Sequence, residues 1–200
     1  MSELVTNKIT PSTGSSDTVT LGDSGDTFTI PSGVNIINSG TATGFGGGKC
    51  LQFLQFPYNA NTSSSSASWV DTPLVIAITP TASTSKLWLT WCINVSGSLN
   101  TGMAFRATQN GSAIHVGDAS GSLHQVTTQL RSKNYDEYEF TMLTDSFLTG
   151  AVGSTSTQTF KLQWLRKFGS TAMYLNVSQD QASSDRPVGV STISVMEISA

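Results

Sequence analysis

"SKLWLTWCINV", Ser85 to Val95, reads in period two. Leu87, Leu89, Trp91 and Ile93 fall on one side of the chain, and Lys86, Trp88, Thr90 and Cys92 fall on the other. Successive side chains of an extended strand point to opposite faces, so the alternation predicts a strand with one strongly apolar face. Upstream lie "CLQFLQF", a serine-rich tip "NTSSSSAS", and "WVDTPLVIAITP", whose Leu74 to Ile78 run is bounded by prolines. Downstream, the strand candidates are "GMAFRATQ", "SAIHVG", "LHQVTTQLR", "EYEFTMLTDSFL", "TQTFKLQWLRKF", "TAMYLNVSQ" and "VGVSTISVMEIS". Turn chemistry in "QNGSA", "GDASGS" and "RKFGST" separates them at intervals of roughly 8 to 12 residues, the spacing of an antiparallel sandwich or barrel. No segment carries a 3.6-residue apolar stripe between caps. Residues 49–200 thus hold about eight to ten strands and predict an all-β domain, an antiparallel, jelly-roll-like β-sandwich. Its connections, such as "GSLNTG" (Gly97 to Gly102) and "GDASGS" (Gly117 to Ser122), cluster at the ends of the sandwich, where recognition usually sits.

Residues 1–48 read differently. Short apolar alternations, Val19 with Leu21, Phe28 with Ile30, and Val34 with Ile36 and Ile37, are separated by "GDSGD" and "PSG". Rungs of this size cannot bury a core alone, because isolated hairpins are marginal in water and short strands stack or are wrapped by sister chains. The segment is expected to be a stalk or docking region stabilised by self-association. "GTATGFGGGK", Gly40 to Lys49, reads as a hinge-like linker, with the domain boundary there.

Composition agrees with strands and turns. Of 200 residues 12% are charged, against roughly 25% in ordinary globular chains, while 38% are hydrophobic. This combination predicts a folded chain, since disorder goes with low hydrophobicity and high net charge. A formal charge of −3 offers no broad cationic field for phosphate backbones, so no nucleic-acid partner is expected. No run approaches the roughly 18 apolar residues of a bilayer span, and "MSELVTNKIT" lacks the pattern of a signal peptide. The expectation is a soluble chain made in a cytoplasm, without membrane insertion. Cys50 and Cys92 lie in apolar, strand-like runs and read as two buried thiols, with a disulfide as the alternative.

"GDSGD", Gly22 to Asp26, resembles the surroundings of a serine nucleophile. Such a serine needs a base, an orienting acid and an oxyanion hole. No histidine precedes Ser24, and neither His115 nor His124 lies three residues after an aspartate. Ser24 therefore reads as a turn residue. His115 and His124, with Asp118 between them, are too loosely grouped for an ordinary zinc or iron site and read as solvent-facing or structural. "YDEYEF" brings Asp136, Glu137 and Glu139 together; a glycosidase pair is conceivable, but a charged strand edge or loop is the simpler reading. Trp69, Trp88, Trp91 and Trp164 offer surfaces for sugars, yet aromatics within apolar strands usually belong to cores. No glycine cluster is followed by the Lys-Ser/Thr of a phosphate loop. The expectation is no enzyme, no metal and no cofactor.

The run "ITPSTGSSDTVTLGDSGDTFTIPSGVNIINSGTATGFG", Ile9 to Gly46, together with "TPTASTSKLWL", "STSTQTFKLQW" and "GVSTISVMEISA", resembles structural and tail-fibre-like proteins of marine tailed bacteriophages. The resemblance implies a virion component with a short N-terminal attachment region and a C-terminal β-domain akin to trimeric jelly-roll tips; it assigns no functional residues. Combined with the residue-level reading, it predicts a homotrimer. Residues 1–48 dock on another virion protein, and residues 49–200 meet a host-surface glycan or protein. Val19, Leu21, Phe28, Ile30 and Ile36 are the candidates for a shared trimer axis, each worth roughly 1.5 to 3 kcal/mol when buried. A capsid decoration or head-fibre protein is the alternative within the same class. An esterase using Ser24, or a depolymerase using Asp136 and Glu139, is the rival from another class.

Overall fold

The computed structural model describes residues 49–97, 100–131, 141–179, 184 and 187–200. The trimer-axis candidates Val19, Leu21, Phe28, Ile30 and Ile36, the Ser24 turn and the Asp136, Glu137 and Glu139 cluster lie outside the described residues.

Among the described residues eleven strands follow in order: β1 (Cys50–Tyr58), β2 (Thr62–Ser64), β3 (Val70–Ile78), β4 (Lys86–Gly97), β5 (Gly102–Gln109), β6 (Ser112–Ile114), β7 (Thr128–Arg131), β8 (Thr141–Ala151), β9 (Gln158–Phe168), β10 (Met173–Leu175) and β11 (Ser191–Ile198). Among the described residues there is no helix, and hence none long and apolar enough to cross a membrane. Every strand pairing is antiparallel.

The strands form two sheets. In the six-stranded sheet, β4 is paired on one edge with β11 along Lys86–Cys92 and with β10 along Val95–Gly97, while β8 takes its other edge. Beyond β11 lies β1, and beyond β10 lies β2. In the five-stranded sheet the order is β3-β9-β5, and β6 and β7 share the far edge of β5. Between the sheets lies one apolar core. The first sheet contributes Leu87, Leu89, Trp91, Ile93, Val95, Ile193 and Val195, and the second contributes Leu74, Ile76, Ile78, Phe105, Phe160, Leu162 and Trp164. The period-two pattern of Ser85 to Val95 is thus realised as expected, with Leu87, Leu89, Trp91 and Ile93 inside and Lys86 and Trp88 exposed.

Local departures from the sequence reading have physical causes. Residues within "NTSSSSAS" form the short strand β2, because β10 offers it a free edge that overrides the weak strand preference of serine. In β3 the strand begins at Val70 and runs through Pro73, at a register shift between Asp71 and Val75, where the missing N–H breaks no regular ladder. Cys50 and Cys92 are both free thiols, and neither is buried: Cys50 opens the edge strand β1, and Cys92 lies on the outer face of β4. The reading of two buried thiols is corrected accordingly.

Polar contacts tie the strand ends together. Asn176 is fully buried with φ of 64°; its Nδ2 donates to the carbonyls of Tyr58 at 2.7 Å and Ala60 at 3.1 Å, and its Oδ1 accepts from Ser191 Oγ at 2.6 Å. At the β8 edge, the His115 ring, just beyond β6, stacks on Phe147 with centroids 4.7 Å apart, and Nε2 lies 3.4 Å from Asp145 Oδ2. One histidine thus links the second sheet to the edge of the first.

Candidate functional site

The outer faces of the two sheets differ in chemistry, because each follows the residues that alternate with the core. On the six-stranded sheet, the register sets Phe53 opposite Met196, Met196 opposite Trp88, and Trp88 opposite Leu148. This apolar row crosses the four strands β1, β11, β4 and β8. Phe53, Trp88 and Leu148 are each about half exposed, at 53%, 46% and 48%. Beside it runs an uncharged polar row, Gln55, Ser194, Thr90 and Ser146. Between the rows lies a shallow depression of about 340 Å³, lined by Phe53, Trp88, Thr90, Ser146, Ser194 and Met196. No ionisable group lines it, so a partner that covers it need not strip water from a charge.

The outer face of the five-stranded sheet is a wired polar ladder. Lys161 Nζ donates to Asp71 Oδ2 at 2.6 Å, Gln163 Nε2 donates to Asp71 Oδ1 at 2.7 Å, and Arg106 Nε donates to Gln163 Oε1 at 2.9 Å. These bonds run across β3, β9 and β5. The Arg106 guanidinium carbon then lies 4.3 Å from the Trp69 ring centroid. Beyond Trp69 stands His124, its ring tilted by 59° at 6.5 Å, and Lys167 Nζ lies 3.0 Å from His124 Nδ1. Hydrogen bonds from Lys161 and Gln163 hold the Asp71 carboxyl below its ordinary range. Burial lowers the pKa of Arg106, although a guanidinium remains charged at any ordinary pH.

Of the four tryptophans, Trp91 and Trp164 belong to the core at 1% exposure, whereas Trp88 is exposed and Trp69 is half-buried. The general expectation of core aromatics therefore holds for two of them, while Trp88 takes the outward side that the alternation of β4 gives it. His115 and His124 are placed apart, one against β8 and the other beside Lys167 of β9. Among the described residues no three His, Cys, Asp or Glu side chains converge as a metal-ligand set. Asp71, Arg106, Lys161, Gln163 and Lys167 carry no motif that marks them in the sequence. Lys161 and Gln163 do alternate visibly with Phe160, Leu162 and Trp164, but only strand pairing shows that Asp71 and Arg106 flank them.

No protein-family model matches this chain, and no curated protein matches it at a significant level.

Proposed function

We propose that the chain is a non-enzymatic virion structural protein of a tailed phage. In this reading it is a short fibre or tail appendage that associates as a homotrimer, docks on another virion protein through residues 1–48, and turns its β-domain to a host surface. The observation that carries the reading is the outward apolar row in which Phe53, Trp88 and Leu148 are exposed beside the partly buried Met196. A band of this kind across four adjacent strands marks an interaction surface, and each large side chain covered is worth roughly 1.5 to 3 kcal/mol. A second copy supplies an equally apolar and uncharged surface. The strand order β1-β11-β4-β8 against β3-β9-β5-β7 supports the finer assignment to a jelly roll, an eight-stranded pair of interleaved Greek keys. The resemblance carried by Ile9 to Gly46 supports the phage assignment.

Light scattering on the full chain tests the proposal. The expected mass is three times 21.1 kDa, and Trp88→Ser together with Phe53→Ser is expected to shift it toward the single chain. A wild-type protein that stays monomeric at high concentration overturns the reading.

A further inference from the structure

The polar ladder carries an imbalance of charge. Asp71 is engaged by Lys161 and Gln163 at 2.6 and 2.7 Å, so it does not neutralise Arg106. Among the described residues Arg106 hydrogen-bonds only Gln163, through Nε, and its terminal nitrogens have no carboxylate partner. Lys167 is exposed, and its polar neighbour is the ring of His124. Among the described residues of this ladder, Lys161 is matched by Asp71, whereas Arg106 and Lys167 have no carboxylate partner, on a chain whose formal charge is −3. Clustering of positive charge in an acidic chain raises the local concentration of anions.

We propose that Arg106, Lys167 and His124, grouped around Trp69, form a binding site for an acidic saccharide, a sugar that bears carboxylate or sulfate. Each part of that chemistry has a group to meet it. The bond to Gln163 and the cation–π contact with Trp69 restrain the guanidinium, and a restrained fork of donors matches a carboxylate or sulfate in bidentate fashion. Lys167 adds a compact second charge, held in place by His124. If Lys167 donates to Nδ1, the neutral ring carries its proton on Nε2 as a further donor. The aromatic and imidazole rings offer faces on which the C–H groups of a sugar can pack, groups that a free inorganic anion lacks. Leu123, next to His124, is 69% exposed and widens the apolar rim.

The site rests on the attachment reading only for where such a sugar is met, on a cell surface. The experiment keeps the two separate. Full-length protein is titrated by calorimetry with heparin, with polygalacturonate, with dextran as the neutral control and with inorganic sulfate. Heparin or polygalacturonate is expected to bind, weakening as salt rises, and dextran is not. Arg106→Gln and Lys167→Gln are each expected to lose about ten-fold in affinity, the size of one charge-assisted contact, and Lys167→Arg is expected to retain binding. Because Lys167 is exposed, its variants test the site without burdening the fold. Failure of both acidic polymers to bind, undiminished binding by both glutamine variants, or equal affinity for inorganic sulfate overturns the site. A monomer that binds the polymers overturns the oligomeric reading and leaves the site standing.

Discussion

Glu197 occupies an inward position of β11, in line with Ser191, Ile193 and Val195, and no solvent reaches it. Burial alone raises a carboxyl pKa, yet here the opposing hydrogen bonds prevail. Gln52 Nε2 donates to Oε2 at 2.6 Å, and both the N–H and the hydroxyl of Thr81 donate to Oε1, at 2.7 and 2.8 Å. The buried Ser85 hydroxyl lowers the pKa as well. Together they hold the pKa at about 2. A carboxyl with a depressed folded-state pKa stabilises the fold above its unfolded value of 4.5 and loses that contribution as pH falls toward 2. At about 1.4 kcal/mol per pKa unit this amounts to on the order of 3 kcal/mol. Urea unfolding at pH 7 and pH 3 is expected to show the larger part of this loss, about 2 kcal/mol, with Asp71 adding to it in the same direction. In Glu197→Gln the acid dependence is expected to flatten, while stability at pH 7 falls by about 1 to 3 kcal/mol, because the new amide faces donors on both sides. The alternation of "STISVMEIS" sets a carboxylate among core positions and so is readable. Its partners lie 145 and 116 residues away in the chain, and only the closed fold brings them together.

Turns and strands were legible wherever local chemistry decides their form. "QNGS" closes β5 onto β6 through Asn110 and Gly111, with φ of 50° and 87°, and Gln109 faces Ser112 across the turn. Positive φ at both central residues is what a two-residue hairpin needs to match strand twist, and Asn-Gly supplies it. The strand β2 was illegible for the opposite reason: its serines favour no form, and the edge of β10 determines it. Gly169, just past β9, combines both kinds of constraint. Its φ is 90°, and a Cβ there would lie 3.0 Å from the Asn100 carbonyl oxygen and 3.1 Å from Thr101 Cα, whereas a Cβ on Gly111 would meet nothing within 4 Å. Gly111→Ala is therefore expected to lose only the conformational term, about 1 to 2 kcal/mol. Gly169→Ala adds a backbone collision that typically costs about 1 to 3 kcal/mol more. Chemical denaturation of the two variants checks the order, and equal losses would mean that the two chain segments part easily.

At the scale of the molecule, the inner and outer faces of β4 were readable from one strand, but the order of the strands was not. Local alternation fixes which side of a strand is buried and leaves open which strand lies beside it. So Trp88 was legible as outward, while its neighbours Phe53, Met196 and Leu148 in the apolar row were hidden until β1, β11 and β8 were in register. Two surfaces now compete as the seat of the proposed self-association: this row, and the short apolar rungs of residues 1–48. Expressing residues 49–200 alone separates them. Every residue of the described core lies within that span, and β11, which follows nearly all of it in the chain, pairs with both β1 and β4. The fragment is therefore expected to unfold in one cooperative transition. If the apolar row is the main contact, the fragment keeps associating in sedimentation velocity runs at high concentration and loses this with Trp88→Ser. A fragment that folds but sediments as a monomer, while the full chain trimerises, transfers the contact to Val19, Leu21, Phe28, Ile30 and Ile36.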